Sequence, residues 1–173
     1  SGTLNLEVFT ASLGPIIEFY RSGQMVAHLD RLYTDPHLFF REATYPTQGL
    51  RLTLGEVFGR LAGDTAVPAI HRLETAFGGG KTHTLIACAH IAFRGRELQG
   101  VVDGLLDPGL LPEPGSVAVA GIAGDEIPVH KPKGNALVPY TLWGEIAYQI
   151  GGEKLYREVE EDANSPAAPG KTY

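Results

Sequence analysis

The sequence predicts an α/β fold: a partial P-loop core with parallel strands and flanking helices, preceded by an N-terminal helical segment. Three observations predict it. Apolar residues recur at three- and four-residue spacing over several long stretches, the period of helices with one buried face. Two short apolar runs, residues 66–73 and 116–122, read as strands. Between the first run and the next helix lies Gly78-Gly79-Gly80-Lys81-Thr82, a glycine run that ends in Lys-Thr.

The elements follow in order. Residues 4–32 read as helical, with Val8, Leu13, Ile16, Ile17, Tyr20, Met25, Leu29 and Leu32 on one face and a break at Gly14-Pro15. Asp35-Pro36 marks a turn, Phe39 and Phe40 an apolar knot, and Tyr45-Pro46-Thr47 an extended stretch. Leu50, Leu52, Leu54, Val57, Phe58 and Leu61 suit a helix that ends at Gly63. Leu85, Ile86, Cys88, Ala89, Ile91 and Ala92 predict a helix that is apolar nearly all round, and so buried. Residues 100–115 are loop-like. Leu142, Trp143, Ile146, Ala147 and Ile150 make an amphipathic helix stopped by Gly151-Gly152, and a polar helix follows over 153–162. The predicted organisation is a helical segment and linker at 1–48 and a partial nucleotide-binding domain at 49–173.

Composition excludes several classes. A chain of 173 residues with 43% hydrophobic content folds on one core without staples. No apolar run approaches the roughly 18 residues that a membrane helix needs. The single Cys88 excludes an internal disulfide and suits a reducing, cytoplasmic compartment. A net charge of −6 argues against strong DNA binding by this chain alone. Gly 22 and Pro 12 together are about a fifth of the chain, against an average near 12%, so turns are plentiful. The start at Ser1-Gly2-Thr3, with no initiator Met and no signal-peptide pattern, reads as a processed end or a piece of a longer chain.

The glycine run carries the chemistry. A phosphate chain needs several backbone N–H groups aimed at one point. Glycines let the backbone approach without a Cβ in the way, and a helix N-terminus adds partial positive charge. A lysine there neutralises β/γ-phosphate charge, and a following hydroxyl ligates Mg²⁺. The expected nucleotide-binding residues are Phe77, Gly78, Gly79, Gly80, Lys81, Thr82 and His83. Lys81 is the candidate catalytic cation and Thr82 the Mg²⁺ ligand. The full pattern G-x-x-x-x-G-K-[ST] is met except at its first glycine, where Thr75 stands.

Other candidates are weaker. Ser165-Pro166-Ala167-Ala168-Pro169-Gly170-Lys171-Thr172 also ends in Gly-Lys-Thr, but its prolines remove donors that a phosphate nest needs. Asp125-Glu126 follow a strand end interrupted by Gly121 and Gly124, and read as loop carboxylates. His83, Cys88 and His90 do not form a tight i, i+4 pair, so Cys88 reads as a small buried residue. Arg94-Gly95-Arg96 is a thin candidate for the lid that a small-molecule or nucleotide kinase would need. A third class is a nucleotide-gated interaction module without hydrolysis of its own.

Three strings, residues 44–50 (TYPTQGL), 77–85 (FGGGKTHTL) and 141–147 (TLWGEIA), resemble a family of large prokaryotic ATPases. It is a domain of unknown function with an AAA-like P-loop core, and its members are described as anti-phage-associated ATP-binding proteins. The resemblance covers roughly residues 35–172. It implies use of ATP and Mg²⁺, a role in phage defence, and partners in other subunits or the rest of a longer chain. It also implies a strand ending Asp-Glu beyond a segment like Ala168-Pro169-Gly170-Lys171, so that this chain stops before its Mg²⁺-side acid. By analogy with AAA-type linkers, Tyr45 to Leu50 pass beside the adenine.

Overall fold

The computed structural model of the protein describes residues 13–24, 30–74, 80–122, 137 and 139–160. These residues are helical and irregular, with no strand and no sheet among them. The α/β expectation is thereby corrected. Periodicity and β-branching show that a segment is extended and apolar, but a strand exists only where a neighbour completes its ladder.

In both predicted strands, backbone groups bond to side chains instead of to a neighbouring strand. At the first, the Asp64 carboxylate accepts from the Ala66 N–H (2.9 Å), and the Arg60 guanidinium donates to the Thr65 carbonyl (3.2 Å). Ile70 is 88% exposed there, so no second layer covers it. In the second, Gly121 meets an amide in place of a strand. Its N–H donates to Gln149 Oε1 (2.8 Å), and its carbonyl accepts from Gln149 Nε2 (3.0 Å).

The chain forms two compact units, residues 1–118 and 119–173. In the first, α1 spans Leu13–Ser22, α2 Arg31–Thr34 and α3 Pro36–Leu38. A π-helical turn follows at Phe39–Ala43, then α4 at Gln48–Leu61 and α5 at Gly80–Arg94. Gly14-Pro15 lie inside the first turn of α1, where a missing proline N–H costs nothing. Residues 4–12 and 25–29 of the predicted first helix lie outside the described residues.

Side chains start these helices. Asp30 accepts from the Leu32 N–H (2.8 Å), Asp35 from the His37 N–H (2.9 Å), and Thr47 from the Leu50 N–H (3.2 Å). Both α1 and α4 pack on α5. Ile16 and Ile17 of α1, Leu54 and Phe58 of α4, and Ile86 and Ile91 of α5 are buried. Each such side chain contributes about 1.5–3 kcal/mol by leaving water. Phe39 and Phe40 are buried, as the apolar knot predicts.

Beyond α5 the backbone turns through Gly95, whose φ is +48°. A Cβ there would lie 1.9 Å from the Pro112 carbonyl oxygen, so only glycine fits. The Arg96 N–H donates to that same carbonyl (3.0 Å), which ties the end of α5 to the 108–115 loop.

In the second unit α6 spans Leu142–Glu158, capped by Thr141, which accepts from the Gly144 N–H (3.1 Å). Gly152 has φ 64° and ψ −159°, which kinks α6 where the sequence predicts a stop. Ala147 and Val159 are buried on either side of the kink, with Leu155 packed against them.

Candidate functional site

Of the predicted nucleotide-binding residues, Gly80, Lys81, Thr82 and His83 form the first turn of α5. Phe77, Gly78 and Gly79, together with Thr75, lie outside the described residues. So do Asp125, Glu126 and the Gly170-Lys171-Thr172 tail.

Lys81 stands at the second helical position and is exposed. A cation there adds to the positive end of the helix dipole, a placement that costs a few tenths to about 1 kcal/mol. No acidic residue stands in that first turn to offset it. Among the described residues, no carboxylate forms an ion pair with Lys81, whereas Arg31, Arg94 and Arg96 each have one. The Thr82 side chain makes no hydrogen bond to another described residue, and the Thr84 hydroxyl turns back to donate to the Gly80 carbonyl (2.8 Å). The result is a concentrated positive locus: lysine, helix end and first-turn N–H groups together, with a hydroxyl beside them. Such a locus suits an anion with several oxygens, and a phosphate chain with its Mg²⁺ fits that donor set.

His83 turns inward. Its ring stacks on Phe39, with centroids 4.5 Å apart and planes at 26°. Its Nε2 lies 3.0 Å from Thr44 Oγ1. The Thr44 hydroxyl donates to the Phe39 carbonyl (2.8 Å), so its oxygen accepts from His83 Nε2–H, which assigns the tautomer. Burial holds the imidazole below its usual pKa.

Two turns along the same face of α5, His90 is fully buried. Its Nε2–H donates to the Tyr33 carbonyl (2.8 Å) and its Nδ1 accepts from the Tyr20 hydroxyl. Burial lowers its pKa to about 4 and pushes the Tyr20 hydroxyl up. Phe39 lies between the two imidazoles, 5.1 Å from the His90 ring. The seven-residue spacing of His83 and His90 is the sequence signal for this arrangement, since it returns to one helix face. Read only against a metal pair, that spacing conceals the shared aromatic partner.

Cys88 is partly buried, and burial raises its thiol to about 11, which disfavours the thiolate at neutral pH. The candidate lid arginines are engaged: Arg94 with Glu97 and Arg96 with Glu113. A concavity of about 480 Å³ is lined by Leu61, Arg96, Leu111, Pro112 and Val117 among others, but by nothing from the first turn of α5. No helix among the described residues is long and apolar enough to cross a membrane.

A family model described as the DUF499 N-terminal domain matches residues 18–106, just over half of the chain. Comparison with curated proteins and with solved structures finds no match.

Proposed function

We propose that this chain, which belongs to the DUF499 N-terminal domain family, binds the phosphates of ATP at the first turn of α5. One observation carries the reading: Lys81 sits exposed at the positive end of a 15-residue helix, after a glycine run, with no carboxylate in that turn. A cation there is unfavourable on its own, and a bound anion would offset that cost. Lys81 neutralises phosphate charge, and the backbone of Gly80 and the rest of the first turn gives access to N–H donors. Thr82 would hold Mg²⁺, which supplies charge neutralisation when bound. At the scale of the whole protein, the reading is an ATP-dependent module of a larger AAA-like ATPase that acts in prokaryotic defence against phage, as the resemblance implies. The engagement of Arg94 and Arg96 by carboxylates weighs against the kinase alternative.

The test is calorimetric titration of ATP with Mg²⁺ into the wild type and Lys81→Ala. Charge-assisted contacts to phosphate contribute about 1.5–3 kcal/mol, so the variant should bind roughly 10- to 100-fold more weakly, while its melting temperature holds or rises slightly as the cation leaves the helix N-terminus. Equal affinity in the two proteins would overturn the assignment.

A further inference from the structure

We propose that His83 is a positioning residue for the phosphate site, and that its contact with Thr44 sets nucleotide affinity by holding the first turn of α5 against the 39–44 segment. This rests on the reading of α5 as the phosphate-binding helix. His83 is the next residue after Thr82, so whatever fixes its ring also fixes the Lys81-Thr82 turn. The ring is fixed twice, by the Phe39 stack and by the Nε2–H donated to Thr44. Both partners come from one short piece of chain, and that piece is unusual. Phe39–Ala43 is a π-helical turn, a conformation that is rare and concentrates at functional sites.

The Thr44 hydroxyl closes that turn on the Phe39 carbonyl and offers its lone pair to His83. Phe39 is itself wholly buried, with the imidazoles of His83 and His90 and the rings of Tyr33 and Phe40 around it. The turn therefore serves as a packed stop for the first turns of α5. After Thr44 the chain turns at Pro46, where the Thr47 N–H donates to the Tyr45 carbonyl (2.8 Å), and the Thr47 hydroxyl then caps α4, so the Thr44 contact, a latch on His83, lies just ahead of the start of α4.

The experiment measures ATP·Mg²⁺ affinity and melting temperature for the wild type, Lys81→Ala, Thr44→Val, Thr44→Ser, His83→Phe, His83→Gln and the Thr44→Val/His83→Phe double variant. His83→Phe keeps an aromatic stack and removes the donor, whereas His83→Gln places an amide N–H near Nε2. The expected result is a loss of about 2- to 10-fold in affinity for Thr44→Val and for His83→Phe, the size of one hydrogen bond. The double variant should lose no more than either single one, and Thr44→Ser and His83→Gln should recover most of the loss. Melting temperatures that fall while affinities stay at the wild-type value would overturn the proposal, as would additive losses in the double variant. If the wild type binds and Lys81→Ala does not, with both latch variants like the wild type, this inference alone fails. If the wild type takes up no ATP, the phosphate reading fails and the latch with it.

Discussion

His90 illustrates how much one buried side chain decides. Both of its nitrogens are used, one giving to the Tyr33 carbonyl and one accepting from the Tyr20 hydroxyl, so the ring must be neutral. Burial is the largest cause of its low pKa, and the nearby Arg94 and His83 act in the same direction. The Tyr33 carbonyl and Asp35 oppose them. The folded-state pKa of about 4 lies below the unfolded value near 6.5. Stability from this group is therefore complete above about pH 6.5 and is lost as pH falls towards 4, because only the unfolded chain takes up the proton in that window. The full loss is roughly 3 kcal/mol. Tyr20→Phe removes the donor to Nδ1 and should cost about 1–2 kcal/mol at pH 7. It should also reduce the acid sensitivity, since the neutral ring loses a bond that favoured it. Urea unfolding of both proteins at pH 7, 5.5 and 4.5 checks this; an equal or steeper pH dependence in the phenylalanine variant would contradict the account.

Helices show which glycines matter. Gly95 combines φ +48° with a Pro112 oxygen where its Cβ would stand, so Gly95→Ala must move backbone. A loss of about 2–4 kcal/mol is expected. Gly55 lies inside α4 with open space around it, and Gly55→Ala should stabilise by up to about 1 kcal/mol. Thermal melts of the two variants should move in opposite directions. The same contrast explains what was legible in the sequence. α4 and α5 follow from their apolar period, because period and burial are local properties. The interruption at Gly151-Gly152 is local too, read as a stop and found as a kink at Gly152. The missing strands were not legible. Val117, Val119 and Ile122 look alike with or without a neighbouring strand, and nothing local foretells that Gln149, 28 residues away, bonds the Gly121 peptide group. At the site, Lys81 and Thr82 were legible as a motif. The inward turn of His83 was not, since it depends on Phe39 and Thr44 about 40 residues earlier.

Charge is the property that belongs to the whole chain. The net value is −6, and the described arginines are largely engaged in ion pairs: Arg21 with Glu18, Arg31 with Asp35, Arg72 with Glu74, and Arg157 with both Glu153 and Glu160. Each such pair contributes little to stability at the surface, about 0–1 kcal/mol, but the carboxylate offsets the charge of the cation. Duplex DNA affinity comes mainly from cations that displace counterions, with a salt slope of about −0.9 for each phosphate neutralised. Arginines paired in this way have little left to offer a duplex, and the role proposed for Lys81 is with a nucleotide. The expected outcome is duplex binding no tighter than about 10 µM at 50 mM salt, with a shallow slope equivalent to one or two phosphates. Lys81→Ala should leave that weak binding unchanged while ATP binding falls, because the two ligands draw on different charges. Fluorescence anisotropy with a labelled duplex across 50–200 mM salt measures both quantities. Submicromolar affinity with a slope of six or more would mean that this chain presents a basic face after all, and that its acidic residues are segregated from it.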